Sequence, residues 1–256
     1  MIVRNKKRLA LAILIIALLV AFMPLERFSY SYHDAAFKKA IATFAIAKTL
    51  NASISFLQGT EIEGSLVFAS ATFSVGEILD PLNDLVERFS WIMLASAVAL
   101  GIEKLLIDFS GAMGLKIFIV FFGIFTSFLL WKKSSSKIST YALQLFGILL
   151  ILRLLMPLAE GTNMLIYNLY SKDIYQQASL SLDTTTDDFK KFKEVLPQKE
   201  LSFFESINKK FEQTSSDIIS MIVIFLLHTV LLPIFFLWLG IKAISALIRF
   251  PHADTR

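Results

Sequence analysis

Among its 256 residues the chain has no cysteine, only 10 Gly and 6 Pro, and 3 His. Without a thiol there can be no disulfide, no thiolate nucleophile and no zinc or iron–sulfur centre built on cysteine. His33, His228 and His252 stand too far apart in sequence to make a short-spaced ligand pair, so neither a metal nor a cofactor is expected. HExxH, GxSxG, the Walker A loop and GxGxxG are all missing, and no catalytic residue is assigned. A basic–aromatic RNA signature is missing too. The bases that lift the pI to about 9.2 lie beside apolar runs, which is a mark of membrane orientation rather than of a nucleic-acid partner.

What the chain has in quantity is apolar surface. It is 55% hydrophobic, with 24 Phe and a mean hydropathy of +0.65, too apolar for an ordinary soluble domain. The excess falls in four runs, Leu9–Met23, Leu115–Trp131, Ile138–Leu158 and Ile218–Gly240. Each is near the ~20 residues that a helix needs to cross hydrocarbon. These runs predict an all-α, polytopic membrane protein. About four transmembrane helices are expected, at 9–25, 114–131, 138–160 and 217–240, with amphipathic helices outside the membrane.

Arg4, Lys6, Lys7 and Arg8 precede the first run and Pro24 closes it. Ser29-Tyr30-Ser31 is a poor small-x-small cleavage candidate and lies well past the apolar run, so a signal anchor is expected rather than a cleaved peptide. Residues 89–109 are more ambiguous. Their apolar core, Trp91–Ile102, is short for a span and suits an interfacial or re-entrant helix.

Charge decides between the topologies. If 89–109 does not cross, residues 1–8, 132–137 and 241–256 are the cytoplasmic segments, and all three are basic. The outside segments are then 26–113 and 161–216, where acids outnumber Lys and Arg. A fifth crossing would move two basic clusters outside. Both termini are therefore expected in the cytoplasm, at a bacterial cytoplasmic (inner) membrane. Trp131 and Trp238 fall near the cytoplasmic ends of their runs, where indoles favour the interface. The cysteine-free background gives a direct check. A Ser135→Cys variant should resist an impermeant thiol reagent in whole cells and react once the cells are opened; labelling from outside would sink this topology.

The outside regions read as helices. Asp34 is a candidate N-cap for the stripe Phe37, Ile41, Phe44, Ala47, Leu50, Ile54 and Leu57, with Gly59-Thr60 and Gly64 as interruptions. Ser74 and Glu77 fit a capping box that opens the next helix, with Pro81 in its first turn. In that helix Ala95 and Ala99, and Ala97 and Gly101, are small residues four apart; packing against the protein's own spans is preferred to a dimer seam. Thr186-Asp187-Asp188 reads as a helix start and Pro197 as a break. Leu201, Phe204, Ile207 and Phe211 then lead into the last run.

Three polar features stand out within or beside the apolar runs. Arg153 is expected to pair or snorkel, with Glu160 as its candidate partner. His228 is expected to make one interhelical hydrogen bond rather than relay protons. Glu103 and Lys104, adjacent and so on different helix faces, are read as a surface exit. With cytoplasmic segments this short and no motif, the expected function is non-enzymatic: an accessory or scaffold component acting through helix–helix contacts. Its expected partners are the lipid bilayer and other membrane proteins or copies of itself. The alternative is a small oligomeric channel or transporter, in which Arg153 and His228 would be the residues to suspect.

Overall fold

The computed structural model describes residues 2–63, 69–132, 136–195 and 200–249, and among these no strand occurs. The helices are α1 (Ile2–Phe22), α2 (Leu25–Glu63), α3 (Ala69–Gly111), α4 (Met113–Trp131), α5 (Ser136–Ile166), α6 (Lys172–Val195), α7 (Glu200–Leu226) and α8 (Leu232–Ile248). A π-helical turn, Tyr167–Ser171, joins α5 to α6, and another, Leu227–Leu231, joins α7 to α8. The protein is thus all-α. Among the described residues, three stretches are long and apolar enough to cross a membrane, lying in Met113–Trp131, Lys137–Lys190 and Lys209–Ile248. Arg8–Phe22 is a shorter apolar helix.

Helix boundaries follow local chemistry at some points and override it at others. Pro24 has no N–H and disfavours a helical residue before it, and α1 ends just ahead of it. A single extended residue, Ala112 (φ −57°, ψ 137°), parts α3 from α4. By contrast, Asp34 and Gly59-Thr60 lie inside α2, and Pro81 lies inside α3 rather than in its first turn. Thr186 starts no helix either: α6 runs through it. Thr184 and Thr186 turn their hydroxyls back to the carbonyls of Leu180 and Leu182, at 2.7 and 2.8 Å, which settles them in mid-helix. Gly64 and Pro197 fall outside the described residues.

The chain divides into two compact units. The first comprises Met1–Asp34, Ile102–Met164 and Leu231–Arg256. In it α1 and α4 meet along small residues. Ala17 packs so close to Gly123 that a Cβ on the glycine would stand 2.5 Å from the Ala17 Cβ. Ser127 donates to the Ala10 carbonyl at 2.9 Å, and Ile13, Ala21, Ile119 and Phe146 fill the space around this seam. The α5–α8 contact is built alike: Gly147 admits Leu247 and Gly240 admits Leu155. Gln144 also donates to the carbonyls of Leu247 and Ile248 at the end of α8. Small residues at the seams and large apolar side chains outside suit helices packing in lipid, where close van der Waals approach holds helices together. Phe118, Phe121, Phe235 and Trp238 are among the side chains turned outward.

The second unit comprises Ala35–Gly101 and Leu165–Val230. Here the apolar stripes of α2, α3, α6 and α7 close on one another. Leu50 and Ile54 of α2, Leu82, Val86 and Phe89 of α3, Leu182 of α6, and Ile218 and Met221 of α7 share one buried cluster. Full burial of such a side chain contributes about 1.5–3 kcal/mol relative to exposure in water. Polar pairs rim the cluster: Gln58 to Asp80 at 2.7 Å, Gln213 to Ser181 at 3.1 Å, and Lys210 to Asp188.

Candidate functional site

Arg153 has the largest fully buried side chain of the described residues, at 0% exposure. Its guanidinium donates to the Ser110 carbonyl at 2.8 Å and to the Met23 carbonyl at 3.0 Å. Those carbonyls lie at the C-terminal ends of α3 and α1. The last four carbonyls of a helix have no partner within it and carry the negative end of its dipole. One cation on α5 therefore closes two helix ends at once, which an apolar environment demands more strictly than water does. The sequence singled out Arg153 and pointed to an acid or the interface as its destination; the structure places two backbone carbonyls among its partners.

Glu160 lies two turns further along α5, beside His33 of α2 and Glu103 of α3. The three are 3%, 3% and 5% exposed, respectively. The His33 Nδ1 stands 3.6 Å from a Glu160 oxygen and 4.0 Å from a Glu103 oxygen, both too long for a hydrogen bond. Neither ring nitrogen of His33, and neither carboxylate oxygen of Glu103, has a hydrogen-bond partner. Burial above all, and then the neighbouring Glu160 charge, push the Glu103 carboxyl up to about 8. Lys104, next in sequence, is exposed. A step of one residue turns about 100° around a helix, so Glu103 points inward while its neighbour leaves for the surface. Glu103 is therefore not at a surface exit. Sequence reading missed this trio because its members come from three helices far apart in the chain. Glu103 and Glu160 each stood out singly in the sequence as acids beside apolar runs, and nothing local brought them together with His33. Glu103, Glu160 and Asn163 also line a cleft with Met156, Pro233 and Phe236.

In the second unit, His228 lies in the π-helical turn Leu227–Leu231, and its Nε2 is 2.9 Å from the Ser171 Oγ in the other π-helical turn. Tyr167 stands edge-on to the imidazole at 5.8 Å. Next to it, Thr229 donates to the Phe225 carbonyl at 2.7 Å and reaches the Ser96 hydroxyl at 3.3 Å. Pro233 stands two residues beyond the end of this turn. It cannot donate to the carbonyl four residues back and its ring would crowd that carbonyl, so a widened turn ahead of it relieves the helix. His228→Leu should leave the Ser171 hydroxyl buried without this partner and cost about 1–3 kcal/mol. His228→Gln, which can still hydrogen-bond, should recover much of that in thermal unfolding. Equal losses in the two variants would mean that the hydrogen bond contributes nothing.

The small residues of α3 do not share one fate. Ala97 packs against the buried cluster of the second unit, and Ala99 is half-buried. Ala95 and Gly101 are exposed, and nothing lies within 4 Å of where a Gly101 Cβ would stand. Comparisons with family models, with curated proteins and with solved structures give no match.

Proposed function

We infer that the protein is a non-enzymatic integral membrane component, an accessory or scaffold subunit that works through helix–helix contacts. In this reading four helices, 9–25, 114–131, 138–160 and 217–240, cross a bacterial cytoplasmic membrane, with both termini on the cytoplasmic side. The partners are other membrane proteins or copies of the same chain. The observation that carries the reading is a second apolar stripe on α3. Leu82, Val86 and Phe89 enter the core of the second unit, while Trp91, Leu94 and Val98, spaced by three and four, stay exposed. A helix that is apolar beyond its own core has surface left for another helix.

A photo-crosslinking residue at position 98 tests this in the native host. The reading expects a discrete adduct of defined mass, lost when Trp91 and Leu94 are both replaced by Asn. Crosslinking to lipid alone would contradict it. A small oligomeric channel or transporter is the second reading, and what favours it is the buried, titratable trio of His33, Glu103 and Glu160 beside a cleft.

A further inference from the structure

We propose that His33, Glu103 and Glu160 bind one first-row divalent transition-metal ion of the Zn²⁺, Fe²⁺ or Mn²⁺ kind, which ties α2, α3 and α5 together. Each residue offers one donor atom, and the three atoms lie within 4.8 Å of one another. Donors around a shared ion at about 2.0–2.2 Å stand roughly 3–4 Å apart, so 3.6 and 4.0 Å are spacings for ligands rather than for hydrogen bonds.

The second observation is independent of the clustering. His33 and Glu103 are each more than nine-tenths buried, yet both imidazole nitrogens and both Glu103 oxygens are without hydrogen-bond partners. Buried polar groups are nearly always paired, because leaving one unpaired forfeits its hydration for nothing. Ionising two neighbouring carboxyls without a counter-charge would raise that cost further, and a dication would offset both charges in one step. A shared proton would have to bridge gaps too wide for a hydrogen bond.

The donor set selects the ion. Imidazole nitrogen with carboxylate oxygen suits Zn²⁺, Fe²⁺ and Mn²⁺, whereas Mg²⁺ and Ca²⁺ prefer oxygen alone. The cleft along Glu103, Glu160 and Asn163 gives the ion a way in and leaves room for water to complete its coordination. Asn163, three residues after Glu160 and on the same face of α5, lines the cleft as well. Such an ion would do for α2, α3 and α5 what Arg153 does for the ends of α1 and α3. The site stands whether or not the protein is an accessory subunit.

The test uses the full chain in mild detergent, purified without a histidine tag, dialysed against Zn²⁺ or Mn²⁺ and then against buffer. Elemental analysis should find about one ion per chain. Pulsed EPR of the Mn²⁺-loaded protein should show coupling to a single imidazole nitrogen. His33→Gln, Glu103→Gln and Glu160→Gln should each weaken binding by at least about 100-fold, since losing even an outer-shell partner costs 10–100-fold. Circular dichroism checks that each variant folds; if one does not, the wild-type EPR signature still decides. Retention below about 0.1 ion per chain, the lack of a nitrogen coupling, or unchanged affinity in a folded triple variant would overturn the proposal.

Discussion

Arg153→Ala should destabilise the protein by about 3–5 kcal/mol. Each hydrogen bond from a charged donor contributes about 1.5–3 kcal/mol, and Arg153 makes one to Ser110 and one to Met23. Its aliphatic stem also fills space in the first unit, and that packing goes with it. Relief from burying a charge offsets part of the loss, which keeps the expected figure below the simple sum. Arg153→Lys keeps the charge but lacks the planar fork that reaches two carbonyls at once, so it should recover about half. Unfolding titrations in mixed micelles measure both variants. A loss for Arg153→Ala within about 0.5 kcal/mol of zero would mean that the two helix ends do not depend on it. If Arg153 instead lined a permeation path, transport would collapse while stability held.

The second large effect is expected at the α1–α4 seam. At Gly123 an added methyl would sit 2.5 Å from the Ala17 Cβ, and neither group can rotate away. Gly123→Ala should therefore push the two helices apart and cost about 1–3 kcal/mol, the usual penalty for overpacking. Gly123→Leu should exceed that and separate α1 from α4. The complementary exchange supplies the proof. Ala17→Gly removes the obstructing methyl, so the double variant Ala17→Gly/Gly123→Ala should regain most of the lost stability. A double variant no better than Gly123→Ala alone would mean that these two residues do not meet.

How much of this was legible in the sequence depends on the range of the interaction. Apolar runs and spacings of three and four are local, and they led directly to an all-α protein with membrane-length helices. The stripe containing Leu50 and Ile54 was read from spacing alone, and those residues are buried in the core of the second unit. Helix starts were harder, because Asp34, Thr186 and Ser74 are cap-forming residue types that here lie within longer helices. Packing of neighbouring helices can override such local preferences, and a threonine in mid-helix can bond back to its own backbone. Non-local contacts were out of reach. Nothing near Gly123 in sequence marks Ala17 as its neighbour, and nothing near Glu103 marks His33. Arg153 stood out by its chemistry, but its carbonyl partners are backbone groups, which no side-chain pattern advertises.

The central claim is that the chain is a membrane component defined by what it assembles with. Native mass spectrometry of the particle, extracted from its own host in a mild detergent, tests that claim most directly. The account predicts a complex of fixed stoichiometry, formed with an unrelated membrane protein or with further copies of this chain, that survives repeated preparation. A lone monomer in every preparation would contradict it; a closed homo-oligomer with no other subunit would put the channel or transporter reading first.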